Sequence, residues 1–177
     1  MKRALEIPVL FFLAVSLCSC PYSSPYNLDQ EPGIYVDDAL LGSWSTLVKR
    51  PNGLMPEPVT VTFSRRNDME YDIAFSGNLN DLKPYMRIIN GTIAGTAFMS
   101  AVGSKQFFNI KLNSRVYIAE VILKEGHLSL LPLAEQFTAK LIFSSEALRN
   151  SVDFHYKTRV HPTLDEDFCL RDMVKSN

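Results

Sequence analysis

The chain has 177 residues, of which 18 are basic and 19 acidic, and its formal net charge is −1. This balance excludes the basic excess that nucleic-acid-binding proteins show. The length is enough for one domain with its own core, and three cysteines are too few for a disulfide framework.

The start of the chain has the layout of a secretory signal. Residues 2 and 3 are basic, and residues 7–17 form an apolar run of 11 residues that ends in Leu17-Cys18-Ser19-Cys20. A bilayer needs about 20 apolar residues, so this run is too short to span one. It predicts a signal peptide over residues 1–19. Its removal leaves 158 residues and, because two bases and one acid are lost, a formal net charge of −2.

The four residues 17–20 resemble the lipobox of bacterial lipoproteins, in which the cysteine is lipidated and becomes the first mature residue. The resemblance implies that Cys20 is the lipid-attachment site and that the protein is anchored to an envelope membrane through its acyl chains, which contribute about 0.8 kcal/mol per buried CH₂. Pro21 stands where an acidic residue would signal inner-membrane retention, which favours the outer membrane, facing the periplasm. The alternative is an ordinary signal cut near Ser19, with Cys20 left as a thiol.

Residues 20–37 are predicted to be the lipidated cysteine and a flexible tether. Residues 21–37 contain three prolines and two serines and show no periodicity, which is typical of an extended linker. Seventeen flexible residues reach about 20–25 Å. The alternative is that residues 34–36 pack on the domain as an extra strand. The folded domain is predicted to occupy residues 38–177.

The domain shows the period-two alternation of half-buried strands, first in a hairpin. Apolar residues alternate with threonine and serine over 59–64, and with polar residues or alanine over 69–75. Residues 65–68 between the two runs are a polar turn. The pattern predicts an antiparallel hairpin.

Further strands are predicted at intervals of about ten residues. The predicted ranges are 85–89, 92–102, 106–112, 115–123, 127–133 and 138–143. Gly95 is expected to mark a bulge or a sharp bend in the second of these. The regular spacing predicts an all-β barrel or sandwich.

One segment near the end of the chain is predicted to be helical. Ser144 and Ser145 are capping residues for a helix over 146–155, whose apolar residues lie three to four apart. The tail over 167–174 returns to strand character, with Cys169 expected as a small apolar residue in it. A helix in this place favours a barrel with a plug or a flanking helix over a sandwich.

Gly42-Ser43-Trp44, near the start of the first domain strand, resembles the Gly-x-Trp signature of lipocalins and related calycin barrels. The resemblance implies a mainly β fold: a single antiparallel lipocalin-like β-barrel, here with one short helix before the last strand. In that family the tryptophan closes one end of the barrel and packs against an arginine late in the chain. Gly42, Trp44 and Arg171 are thus implied to close the barrel, with the guanidinium over the indole contributing about 0.5–2 kcal/mol.

Residues 40–174 also resemble a family of uncharacterised bacterial envelope lipoproteins in the order of their segments. The shared course runs through the segments at 106–110, 127–133, 144–148 and 167–171. These relatives carry no agreed catalytic motif. The resemblance therefore implies a lipoprotein and transfers no active site.

The sequence shows no cluster of catalytic or metal-ligating residues. Its histidines lack the short spacing of zinc sites, and no Gly-x-Ser-x-Gly elbow occurs; the histidines are His127, His155 and His161. Glu70 and Asp72 lie two apart on a strand and share one solvated face, whereas glycosidase carboxylates face each other. We expect no enzyme activity, no metal and no cofactor.

Two functions from different classes fit these observations. The first is non-catalytic binding of a small apolar ligand or a lipid in the barrel, because apolar strands rich in phenylalanine can line a cavity. The second is an envelope accessory or inhibitor protein with a filled barrel, which binds a protein partner through the outer barrel surface. Both contact the membrane through the Cys20 lipid, and neither involves nucleic acid.

Overall fold

The computed structural model describes residues 21–48, 57–77, 91–138, 141–158 and 168–176. Within these ranges lie the strands β1 Ser23–Ser24, β2 Gly42–Val48, β3 Glu57–Arg65, β4 Glu70–Gly77, β5 Thr92–Val102, β6 Lys105–Leu112, β7 Arg115–Lys124, β8 His127–Pro132 and β9 Leu170–Ser176. The helices are α1, Ser145–Lys157, and two 3-10 helices, Asp38–Leu40 and Glu135–Phe137.

Strands β2 to β9 form a closed antiparallel barrel. Neighbours in sequence pair from β2 to β9, and β9 returns to pair with β2. The short strand β1 lies outside this closure and pairs with the first residues of β7. Helix α1 lies between β8 and β9 in the chain. The prediction of a mainly β fold with a single antiparallel barrel and one short helix before the last strand is confirmed.

The β3–β4 hairpin forms where the two alternating runs predict it. Val61 and Phe63 are buried on the inner face of β3, and their partners on β4 are apolar too. In the turn, the side-chain oxygen of Asn67 accepts hydrogen bonds from the backbone N–H groups of Met69 and Glu70, each at 2.9 Å. This local pairing is the mechanism by which asparagine favours turns.

Gly95 is required by a close approach between strands, and not by the predicted bulge or bend. The pairing of β5 with β4 continues through Gly95, which lies opposite Ile73. A Cβ atom at Gly95 would lie 2.1 Å from the carbonyl oxygen of Lys111 and 2.6 Å from Cδ2 of Leu112. Because glycine has no Cβ atom, the backbone at Gly95 can approach the backbone of β6 this closely.

Two apolar cores lie on opposite faces of the barrel wall, because successive residues of a strand point to opposite sides. The inner cluster lies inside the barrel and draws side chains from each of β2 to β9, together with Val36 and Leu40. The outer cluster lies outside β5, β6 and β7 and is covered by α1 and by the N-terminal segment. Its buried members are Leu28, Val102, Phe107, Val116, Ile118, Leu133, Phe137, Leu148 and Val152.

Helix α1 confirms the predicted helix over 146–155. Ser144 is its N-cap, and the Ser144 hydroxyl accepts a hydrogen bond from the backbone N–H of Ala147 at 3.1 Å. The strand predicted over 138–143 is wrong in the part that the structure describes, since residue 138 and residues 141–143 form no strand. The reason is that β8 already pairs with β7 on one side and β9 on the other, so the closed barrel offers no edge for another strand. The strand predicted at 85–89 lies outside the described residues.

Residues 21–37 pack on the barrel, which corrects the prediction of a flexible tether for this segment. Leu28 is buried in the outer cluster, and its backbone N–H donates to Oδ1 of Asn109 at 2.6 Å. Val36 is buried in the inner cluster, and its N–H donates to the carbonyl of Asp68 at 2.9 Å. The composition of the segment is that of a linker, but both of these apolar side chains are buried in the domain.

Two further predictions concern this N-terminal region. Residues 34–36 lie against the domain but form no strand, so the alternative prediction of an extra strand at these residues is wrong. The strand of this N-terminal segment is β1. The predicted signal peptide over 1–19 and Cys20 lie outside the described residues.

Candidate functional site: the two ends of the barrel interior

The barrel interior has two ends with different connections. At the first, which we call the closed end, short turns join β3 to β4, β5 to β6 and β7 to β8, and residues 36–41 lead into β2. At the second, which we call the loop end, β2, β4 and β8 leave the barrel and β3, β5 and β9 enter it. A two-residue turn between β6 and β7 also lies there.

The segment before β2 plugs the closed end. Trp44 is buried, and its Nε1–H donates to the carbonyl oxygen of Leu40 at 2.8 Å. The backbone N–H of Asp37 donates to the Tyr71 hydroxyl at 2.7 Å. Asp37 also caps the 3-10 helix, because its carboxylate accepts from the N–H of Ala39 at 2.9 Å. The indole and the phenol at this end thus both have hydrogen-bond partners, as buried polar groups usually do.

Lys175 is the cation that lies over the Trp44 indole. Its Nζ is 5.4 Å from the ring centroid, and the strand register places Lys175 directly opposite Trp44. Arg171, which the lipocalin resemblance implies for this role, lies four residues earlier with an exposed side chain. In the structure, Lys175 therefore occupies the position over the Trp44 indole that the resemblance implies for Arg171.

An irregularity in β9 accounts for this exchange. Asp172 has a φ of 49°. Leu170 and Met173 both lie in the inner cluster although they are three residues apart, whereas their partners on β8 are two apart. An extra residue in one strand interrupts the inward and outward alternation. Arg171 precedes the interruption and turns outward, and Lys175 follows it on the same side as Met173.

Gly42 lies at the start of β2, next to the Lys175 side chain. Its φ of 112° is in the region that favours glycine, and a Cβ atom there would lie 2.9 Å from Cε of Lys175. The missing side chain leaves room for Lys175 to reach the indole. Lys175 Nζ also donates to the carbonyl of Ala39 at 3.3 Å. Gly42, Trp44 and Lys175 thus form one contact group at the closed end.

Three aromatic rings fill the interior beside the plug. Phe63 and Phe108 stack with their centroids 5.3 Å apart. Tyr71 meets both rings edge-on, with centroid distances of 6.2 Å to Phe63 and 5.2 Å to Phe108. Such pairs contribute about 0.5–1.5 kcal/mol each beyond the burial of their area. This part of the interior is therefore packed core.

Tyr117 brings another phenol into the inner cluster, on β7 near the loop end. The residue is 8% exposed. Among the described residues, the Tyr117 hydroxyl has no hydrogen-bond partner. Burial raises the pKa of Tyr117, and the charge of Arg115 opposes that rise. The inner-cluster residues closest to the loop end along their own strands are apolar: Val59, Ile93 and Leu112, with Val48 and Phe75 partly buried.

A buried carboxylate joins α1 to the outer side of the barrel. Glu120 is 6% exposed, its Oε1 lies 2.6 Å from Nζ of Lys105, and its Oε2 accepts from the Tyr156 hydroxyl at 3.0 Å. Burial and then the charge of Glu120 raise the pKa of Tyr156. Sequence reasoning missed this group. The available signal was one acidic residue inside the apolar run of β7.

The residues considered for catalysis or metal binding do not come together in the described part of the chain. His127 is exposed, with Nδ1 3.1 Å from the carbonyl oxygen of Glu125. His155 lies on α1, half-buried, and His161 lies outside the described residues. No group of three or more His, Cys, Asp or Glu residues that could hold a metal ion is found among the residues described. Cys169 lies half-buried immediately before β9.

Comparison with known proteins gives no match. The chain matches no protein-family model, no curated protein and no solved structure. Within the described ranges, no helix is long and apolar enough to cross a bilayer. The barrel is therefore established by its own strand pairing, and the lipoprotein and lipocalin resemblances remain predictions.

Proposed function

We propose that the protein is a membrane-anchored bacterial lipoprotein without catalytic activity that binds a small apolar ligand or a lipid in its β-barrel. A lipid on Cys20 anchors it, in the outer membrane and facing the periplasm. The ligand occupies the loop-end part of the interior. Its apolar body contacts the inner cluster, and its polar group hydrogen-bonds to the Tyr117 hydroxyl.

The proposal is supported by a difference among three polar side chains of the inner cluster. Trp44 and Tyr71 each hydrogen-bond to the plug, at 2.8 Å and 2.7 Å, whereas the Tyr117 hydroxyl has no partner among the described residues. Among the described residues, the Tyr117 hydroxyl is also not one of the fully buried polar atoms that lack a partner, so it stays accessible to another molecule. A ligand with a carbonyl, carboxyl or hydroxyl group would supply the missing partner, and small barrels of this type do hold single ligands.

Native mass spectrometry of the full-length protein, extracted from its own membranes in mild detergent, tests this function. We expect the wild-type protein to carry a small molecule in addition to its anchor lipid. Tyr117→Phe should lower its affinity about two- to tenfold, because one hydrogen bond contributes about 0.5–1.5 kcal/mol. Tyr26→Phe is the matched control, since Tyr26 packs against the outer cluster. A wild-type protein that carries only its anchor lipid would contradict the proposal.

The anchor is tested separately, by Cys20→Ala. We expect this change to abolish the mature, lipid-bearing form in the membrane fraction, because the acyl chains provide the attachment. Cys169→Ala is the control and should leave the anchored form unchanged. A Cys20→Ala protein that is processed and remains in the membrane like the wild type would exclude this anchor.

The second candidate function is an envelope accessory or inhibitor protein that binds a protein partner through the outer barrel surface. The packed rings of Phe63, Tyr71 and Phe108 favour it, because a filled interior leaves recognition to the outside. The outer face of β2 and β3 offers paired hydroxyls for such contacts, including Ser45 and Thr60 at 2.8 Å. If this second function is correct, we expect the mass spectrum to show no small molecule and a photo-crosslinker at position 60 to trap one protein.

A further inference from the structure

The N-terminal end of the described chain is fixed on the barrel wall. Pro21 forms a β-bridge with Ala134. The backbone N–H of Tyr22 donates to the carbonyl oxygen of Leu133 at 2.7 Å, and the Tyr22 ring packs edge-on against Phe137 with centroids 4.7 Å apart. The chain therefore continues toward residue 20 from a fixed point on the wall, which we call the exit point.

The exit point lies at the level of the loop end. Leu133 follows directly after β8, which ends there, and its N–H donates to the carbonyl of Ile118 at 2.9 Å. Ile118 is the neighbour of Tyr117 on β7. The exit point and the proposed ligand site thus lie on the outer and inner sides of the same part of the wall.

Large apolar side chains are exposed in the part of the chain that follows Ala134, the residue paired with Pro21 at the exit point. Leu141 is 78% exposed and Phe143 is 71% exposed, whereas Ile142 between them packs against the outer cluster. Alternate residues of an extended segment point to opposite sides, so Leu141 and Phe143 face outward together. Phe154 on α1 is 56% exposed.

Ring contacts connect these side chains to the exit point. The Phe137 ring, which contacts Tyr22, is 6.2 Å from the His155 ring, and His155 is 6.4 Å from Phe154, each between centroids. Residues 141–143 begin four residues after Phe137, and four residues reach at most about 14 Å. One surface therefore contains the exit point and the exposed apolar side chains. We call it the exit surface and define it by Pro21, Leu141, Phe143 and Phe154.

The covalent spacing leaves no slack between a lipid on Cys20 and the exit surface. Consecutive Cα atoms are about 3.8 Å apart, and Pro21 is already on the wall. A flexible linker of 17 residues would instead hold the barrel about 20–25 Å from the attachment point. A lipidated Cys20 therefore brings this particular wall to the level of the lipid headgroups.

We propose that the exit surface lies on the bilayer, with Leu141, Phe143 and Phe154 inserted among the lipids, so that the barrel is oriented with its loop end toward the membrane. This inference rests on the proposed lipidation of Cys20. Apolar and aromatic side chains hold peripheral proteins at the boundary between headgroups and acyl chains. In this orientation an apolar ligand passes between the bilayer and the barrel without crossing water.

Apolar contact, and not attraction to anionic lipids, holds the exit surface in this arrangement. The bases of α1 have acidic partners: Arg149 lies 2.5 Å from Asp29, and Lys157 pairs with Asp153. The positive charges of Arg149 and Lys157 are therefore largely balanced within the protein itself. The orientation should be the same on neutral and on anionic vesicles.

The test uses the full-length lipidated protein reconstituted into phosphatidylcholine vesicles. An environment-sensitive fluorophore is attached to a single cysteine in a Cys169→Ser background, in the variants Phe143→Cys and Phe154→Cys. Tyr35→Cys is the matched control, because Tyr35 is 70% exposed at the opposite, closed end, beside Val36, whose N–H donates to Asp68 in the β3–β4 turn. Quenching by lipids that carry a nitroxide near the headgroup is then measured. The measurement is repeated with vesicles that contain phosphatidylglycerol.

We expect quenching at positions 143 and 154 to be several-fold stronger than at position 35, in both lipid compositions. Quenching at 143 and 154 that is no stronger than at 35, in protein recovered with the vesicles, overturns the orientation and leaves the anchor intact. Protein that is not recovered with the vesicles overturns the anchor, and the orientation with it. All three labelled side chains are more than half exposed, so the label displaces no core residue and unfolding by the label does not explain a difference.

Discussion

The polar side chains at the two ends of the barrel interior differ in their hydrogen bonding. At the closed end, Trp44 and Tyr71 hydrogen-bond to the plug, and Lys175 covers the indole. At the loop end, the Tyr117 hydroxyl has no hydrogen-bond partner among the described residues. One apolar interior thus has an end that is complete by itself and an end where a polar group still lacks a partner. We interpret the first as structural and the second as the place for another molecule.

The largest expected effect is at the closed end. Trp44→Ala should lower the free energy of unfolding by about 3–5 kcal/mol, because a buried aromatic side chain is removed and a cavity remains. Urea unfolding followed by circular dichroism measures this. Leu47→Ala, at an exposed position on the same strand, is the control and should stay within about 0.5 kcal/mol of the wild type. A loss below about 1 kcal/mol for Trp44→Ala would argue against its role in closing the barrel.

A matched pair of tyrosine variants compares the two ends directly. Tyr71→Phe removes the acceptor of the Asp37 N–H and should cost about 1–3 kcal/mol of stability. Tyr117→Phe removes a hydroxyl that has no described partner, and should leave the unliganded protein within about 0.5 kcal/mol of the wild type. Urea unfolding of the two variants measures the two changes in the free energy of unfolding. Equal costs would remove the distinction between the ends.

Alkaline pH should weaken both ends through their tyrosines. Burial raises the pKa of Tyr71 and of Tyr117 above the ordinary value of 10.0. The folded state therefore holds these protons more tightly than the unfolded state. This contribution to stability is complete below pH 10 and is lost as the pH rises toward the folded-state pKa values. Unfolding measured on a pH series should show the decline, and Tyr71→Phe should reduce it; a stability that rises above pH 10 contradicts the assignment.

The smallest effect expected at the closed end concerns the cation over the indole. Lys175→Met should cost about 0.5–1 kcal/mol and change the fluorescence of Trp44, which is the one tryptophan of the sequence. Arg171→Met is the control and should leave the emission unchanged, since Arg171 lies beyond the irregular Asp172. If Arg171→Met changes the emission and Lys175→Met does not, the exchange of roles described above is wrong.

Period two and local turn chemistry were enough to predict most of the barrel. The alternation around residues 65–68 predicts the hairpin because each side chain faces the core or the solvent by its own position. Ser144 predicts the start of α1 because its cap is a contact within one turn. Such features are encoded by neighbouring residues, and therefore a single sequence reveals them.

The features that the sequence did not predict depend on distant contacts. The segment over 21–37 has the composition of a linker, and what holds it includes Asn109, which lies 81 residues after Leu28. The exchange of Arg171 for Lys175 depends on the positive φ of Asp172, for which β9 carries no glycine. The missing partner of Tyr117 becomes visible only when the surrounding strands are in place.

Fluorine NMR of the full-length protein carrying fluorotyrosine tests the central claim most directly, because both ends of the interior report in one sample. The resonances of Tyr71 and Tyr117 are assigned with the two phenylalanine variants, and an apolar extract of the native membranes is then added. We predict that the Tyr117 resonance shifts as its hydroxyl gains a partner, and that the Tyr71 resonance does not. A Tyr117 resonance that stays unchanged while the extract is present in excess would contradict the account.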